Sequence, residues 1–175
     1  MRGRLGTAAR SALVALALGP VLGVLWWLLA PTIPFDVLDG AVYSAPNTPG
    51  DWFGVDGWFL VVGGFLGLVV GVVVFVRRGA HPISAALGMT AGCLLAAGVG
   101  WWVGRVLGPA PLDDQLAAVA AGQQVMRPLQ LLAPSVLLAP AVAALASFGA
   151  LVASAPVALR PPAATPVSPA ATPTP

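Results

Sequence analysis

The stretch Trp58–Arg105, WFLVVGGFLGLVVGVVVFVRRGAHPISAALGMTAGCLLAAGVGWWVGR, decides how this chain is read. It holds two apolar runs, 58–76 and 83–104. Each is long enough to cross about 30 Å of hydrocarbon as a helix. Arg77, Arg78 and His81 make the turn between them basic, while Trp58, Trp101 and Trp102 stand at the far ends. An indole ring favours the headgroup layer, where its body is shielded and its N–H stays wet. Two further apolar runs, 11–30 and 131–154, flank this hairpin. The pattern predicts an all-α membrane protein with four transmembrane helices.

Composition supports that class. Of the 175 residues 58% are hydrophobic and only 8% charged, far from the roughly one quarter charged of soluble domains. What remains outside the four runs is loop-sized, so no separate soluble domain is expected. The basic balance comes from eight arginines and no lysine. These are scattered along the loops and form no face that could follow a phosphate backbone, so no nucleic-acid partner is expected. Cys93 is the only cysteine, which excludes an intramolecular disulfide, and its mid-span position reads as a small buried apolar residue.

Arginine placement gives the orientation. Arg2, Arg4, Arg10, Arg77, Arg78 and Arg160 fall on one side of the four spans, against Arg105 and Arg127 on the other. Short arginine-bearing loops stay cytoplasmic, so both termini are expected inside. All six carboxylates, Asp36, Asp39, Asp51, Asp56, Asp113 and Asp114, then face out, together with the six tryptophans. A cleaved signal peptide would also begin with arginines. The first run is too long for a signal h-region of about 7–15 residues, and no small-x-small site follows Trp26-Trp27. An uncleaved first span is expected, after a basic cytoplasmic N-terminus at 1–10.

The two extracytoplasmic loops read differently. Residues 31–57 are dense in turn formers, with a hairpin about Asp39-Gly40 flanked by Phe35, Val37, Leu38 and by Val42, Tyr43. Asp56, just before span two, reads as the cap of that helix. In 105–130, Asp113 and Asp114 start a run of helix formers that stops at Gly122, a short surface helix. Arg105 and Arg127 are expected to snorkel or to pair with these aspartates. The Pro/Ala/Thr-rich segment 155–175 lacks apolar residues that could repay ordering and reads as a disordered cytoplasmic tail.

Apolar helices gain little from meeting in lipid unless their backbones come close. Small residues every four positions mark such faces: Gly63, Gly67 and Gly71 in span two, and Gly88, Gly92, Ala96, Gly100 and Gly104 in span three. The short connection 77–82 makes these spans a hairpin, whose glycine faces would pack on each other or on a second copy. Pro20, Pro134 and Pro140 are expected to bend their helices. Trp26-Trp27 and Trp101-Trp102 recur 75 positions apart, as do Asp39 and Asp114, an echo that a two-plus-two repeat would produce.

No span carries an ionisable residue near its middle, where proton relays and ion sites usually need one. There is one histidine, and no phosphate-cradling loop, nucleophile elbow or HExxH pattern. No catalytic, cofactor or metal residue is assigned. The outward Asp pairs lack a metal-loop spacing.

Asp56-Gly57-Trp58-Phe59 at the start of span two and Gly108-Pro109-Ala110-Pro111-Leu112-Asp113 after span three resemble a group of small four-span membrane proteins of actinobacteria, including mycobacteria, catalogued as a domain of unknown function. The resemblance runs from span one to span four and leaves out the tail. It implies a plasma-membrane location and brings no catalytic residues. The expectation is a non-enzymatic accessory or scaffold protein whose partners are the lipid bilayer, other membrane proteins or itself. A small transporter or channel component is the alternative.

Overall fold

Pro20 divides span one. In a computed structural model, helix α1 runs Arg2–Leu16 and helix α2 Gly19–Leu29. Proline lacks an N–H, and its ring would strike the carbonyl of the fourth residue before it. The chain answers with a turn at Ala17-Leu18, where the Leu18 N–H reaches back only to Ala15, at 3.1 Å. The structure describes residues 2–32, 34–38, 41–44, 49–77, 81–118 and 124–155. The segment 1–10, expected to precede the span, is helical from Arg2 onward, since arginine and alanine are strong helix formers. The tail lies outside the described residues from 156 on.

After α2 come strands β1 (Pro34–Leu38) and β2 (Ala41–Ser44), paired antiparallel with Leu38 opposite Ala41 and Phe35 opposite Ser44. That register leaves Asp39-Gly40 as a two-residue connection, itself outside the described residues. Helix α3 covers Pro49–Arg77, α4 Pro82–Leu107 and α5 Leu112–Ala118. The expected stop of α5 at Gly122 lies outside the described residues. A strand that the sequence pattern does not announce, β3 (Gln124–Met126), joins β1 antiparallel, giving the order β2-β1-β3. Span four starts with a 3₁₀ turn, Pro134–Leu138, and continues as α6, Ala139–Ser154. Pro134 and Pro140 each open one of these segments. The expected bends within span four are therefore replaced by proline at first-turn positions, where its missing N–H costs nothing.

Among the described residues, four helical segments are long and apolar enough to cross a membrane. The interior mixes small residues, Ala15, Ala85, Ala97 and Ala144, with large ones, Trp26, Phe59, Leu22 and Met89, while Phe65 (65% exposed), Leu87 (68%) and Ile83 (77%) point outward. Soluble proteins rarely leave so many large apolar side chains on one continuous surface. An apolar outer surface suits a lipid solvent, and the small interior residues let helix backbones approach closely.

The helices pair in a way the short 77–82 connection does not dictate. α1 and α2 pack along α4, α3 packs along α6, and α4 touches α6, while α3 and α4 meet over a much smaller surface. Contacts advance in the same direction on both partners: Gly88 lies at Ala8 and Gly100 at Leu22, while Gly63 lies at Pro140 and Gly71 at Ala144. Both pairs are thus parallel. Of the two outcomes expected for the glycine faces of spans two and three, packing on each other or on a second copy, neither is found. Each stripe instead receives the backbone of the next-but-one span, which brings small residues of its own.

Candidate functional site

The seven glycines selected by spacing all stand against a partner helix, Gly104 against the Trp26 ring. A Cβ built on Gly63 would come 3.0 Å from Pro140 Cγ, and one on Gly67 would collide with the Pro140 carbonyl. Gly71 faces the Ser147 hydroxyl and the Ala144 carbonyl. On α4, Gly88 faces the Ala8 carbonyl, Gly92 would place a Cβ 2.5 Å from the Ala12 carbonyl, and Gly100 one 2.9 Å from Leu22 Cγ. Gly64 and Gly98, off these stripes, have open space around them. Ser147 adds a polar tie, its single hydroxyl proton shared between the Leu68 carbonyl across the pair (3.2 Å) and the Ala144 carbonyl of its own helix (3.1 Å). Such a bond is worth on the order of 0.6 kcal/mol in a membrane bundle. Cys93 is buried beside Met89 and Ala15 in the core where the spans meet.

Polar chemistry gathers at the end where the sheet lies. Asp56 is not the cap of its own helix, because α3 begins seven residues earlier. Its carboxylate accepts from the N–H groups of Leu132 (3.1 Å) and Ala133 (2.8 Å), just ahead of the 3₁₀ turn. One side chain of span two thus satisfies two backbone donors at the start of span four, and charged acceptors make the stronger hydrogen bonds. Pro49 at the first helical position and Asp51 in the first turn are the sequence signals that α3 starts early. The partner 76 residues away has no local signal.

Trp26 departs from the interfacial reading. It is fully buried, its Nε1–H donates to the Val55 carbonyl at 2.9 Å, and its ring meets Phe59 edge-on at 5.2 Å. Trp27, Trp58 and Trp102 are exposed, while the Trp52 side chain lies outside what is described. Trp101, the counterpart of Trp26 in the 75-residue echo, is half-buried beneath the Arg105 guanidinium, 5.1 Å from its ring centre. The echo therefore does not extend to surroundings. Arg105 lies over Trp101 instead of pairing with Asp113 or Asp114, both exposed in the first turn of α5. Stacking on an indole keeps the cation near the interface with little loss of hydration.

Gln115, which no sequence pattern singles out, ties α5 to β3. Its amide nitrogen donates to the carbonyls of Ala110 (2.6 Å) and Met126 (2.8 Å), and its oxygen accepts from the Met126 N–H (2.8 Å). The side chain imitates a strand partner. Among the described residues no three His, Cys, Asp or Glu side chains converge on a metal-sized position. The side chains of Asp36, Asp39 and Asp51 lie outside what is described. Comparison with family models, curated proteins and solved structures finds no match. The described polar contacts tie one segment of the bundle to another.

Proposed function

We propose that the protein is a non-enzymatic accessory or scaffold subunit of the bacterial plasma membrane, with both termini cytoplasmic and the sheet end outside. One observation carries this reading: the glycine stripes are occupied by the backbones of α1 and α6. Polar side chains at the sheet end serve backbone groups and so are committed to architecture. Kinship with the actinobacterial four-span group belongs to the same proposal and rests on the short motifs at 56–59 and 108–113. Transport along the glycine faces is the less favoured reading, because Ala8, Ala12 and Pro140 fill them.

Reconstitution tests the choice. Purified protein in liposomes is expected to give no ion or small-solute flux above empty vesicles. In living cells, crosslinking is expected to capture the chain with itself or with a stoichiometric membrane partner. Flux that disappears in Gly67→Leu or Gly92→Leu would reverse the preference.

A further inference from the structure

At the end opposite the sheet, α1 and α3 enclose a cleft of about 410 Å³. Arg10 and Arg77 line it together with Leu13, Val14 and Val73. The spacing explains its character. Val14 follows Arg10 by four positions on α1, and Val73 precedes Arg77 by four on α3, so each valine sits one turn from its arginine on the same face. The helices run in opposite senses, which puts both cations toward the end of the bundle and both valines one turn deeper. The Ser11 hydroxyl is already engaged with the Thr7 carbonyl at 3.0 Å.

Among the described residues, neither guanidinium has a counter-charge at this end. Every aspartate of the sequence lies in 36–56 or 113–114, and there is no glutamate. Two exposed guanidiniums above an apolar recess match an amphiphile with an anionic head. We propose that this cleft binds one anionic phospholipid, its phosphate held between Arg10 and Arg77 and an acyl chain lying along Leu13, Val14 and Val73. Guanidinium groups bind phosphate oxygens in pairs, and basic pockets between transmembrane helices select anionic headgroups. The cleft has the size of ordinary ligand sites. The assignment rests on the chain residing in a bilayer.

The test titrates the full-length protein, in neutral detergent, with phosphatidylglycerol and with phosphatidylcholine of the same acyl chains. Phosphatidylglycerol is expected to bind tighter by on the order of tenfold or more. Arg10→Gln with Arg77→Gln should erase the preference, and Val14→Trp, which keeps both charges but fills the recess, should weaken binding comparably. Arg4→Gln, a cation on α1 outside the cleft, should leave it unchanged. Equal affinity for the two lipids, a preference surviving the double substitution, undiminished phosphatidylglycerol affinity in Val14→Trp, or an equal loss in Arg4→Gln would overturn the site. Inorganic phosphate binding as tightly as phosphatidylglycerol would overturn the lipid as its source. Co-flotation with phosphatidylcholine vesicles reads the membrane residence separately. Flotation without a lipid preference defeats only the cleft, and failure to float defeats both.

Discussion

The two parallel helix pairs use one device to different extents. Along α4 the small stripe runs from Gly88 to Gly104 and receives Ala8, Ala12, Gly19, Leu22 and finally the Trp26 ring. It stays continuous although its partner is broken at Ala17-Leu18. The α3–α6 pair is shorter. On α6, Gly63 and Gly67 both meet Pro140, and Gly71 meets Ala144, Ser147 and Phe148. There, hydrogen bonds supplement the packing, from Asp56 to the residues before the 3₁₀ turn and from Ser147 to Leu68. A long straight stripe can hold a kinked partner by contact alone, whereas a short helix with an irregular start is also held by polar groups.

Substitutions can break this contrast in graded steps. The largest effect is expected from Gly92→Leu, whose side chain has no room beside the Ala12 backbone. Overpacking costs about 1–3 kcal/mol where side chains can give way, and a facing backbone cannot, so a loss of about 3 kcal/mol or more is expected in detergent unfolding. Gly67→Leu should come close to it. Asp56→Ala comes next, at about 1–3 kcal/mol, because two N–H groups lose a charged acceptor. It should loosen α6 and leave span one on α4, which hydrogen exchange of the two helices would distinguish. Asp56→Asn should lose about half as much.

Smaller changes sharpen the contrast. Trp26→Phe removes the donor to Val55, whose carbonyl keeps its helical partner, and about 1–2 kcal/mol is expected from the lost bond and volume. Gly98→Ala and Gly64→Ala should stabilise by about 0.5–1 kcal/mol, since alanine is the better helix former where space is open. Gly88→Ala should destabilise, so the sign of a one-carbon change separates glycines inside a contact from those outside it.

Much of this architecture is legible in the amino-acid sequence. Hydrophobic length locates the four spans, and four-residue spacing picks out Gly63, Gly67, Gly71, Gly88, Gly92, Gly100 and Gly104, which all meet a neighbouring helix. Spacing names a face without naming its partner, so the 77–82 connection suggests a hairpin contact that the parallel pairs replace. Trp27, Trp58 and Trp102 are exposed, yet Trp26 turns inward because Val55 offers a carbonyl and Phe59 a ring. Asp56 looks like a cap for the helix beside it, but its oxygens serve a segment that no local pattern connects to it. Strand β3 is three residues long and takes its definition from β1, so periodicity cannot reveal it.

The most direct test of parallel pairing is disulfide trapping in membranes of a Cys93→Ala background. A Cβ at position 19 would stand 3.1 Å from that of Val99, near the roughly 3.5–4.5 Å a disulfide spans. Gly19→Cys with Val99→Cys should therefore form an intrachain bond on mild oxidation, and Gly67→Cys with Gly92→Cys should not. Efficient bonding of the second pair and none of the first would mean that spans two and three share their glycine faces, contradicting the parallel arrangement.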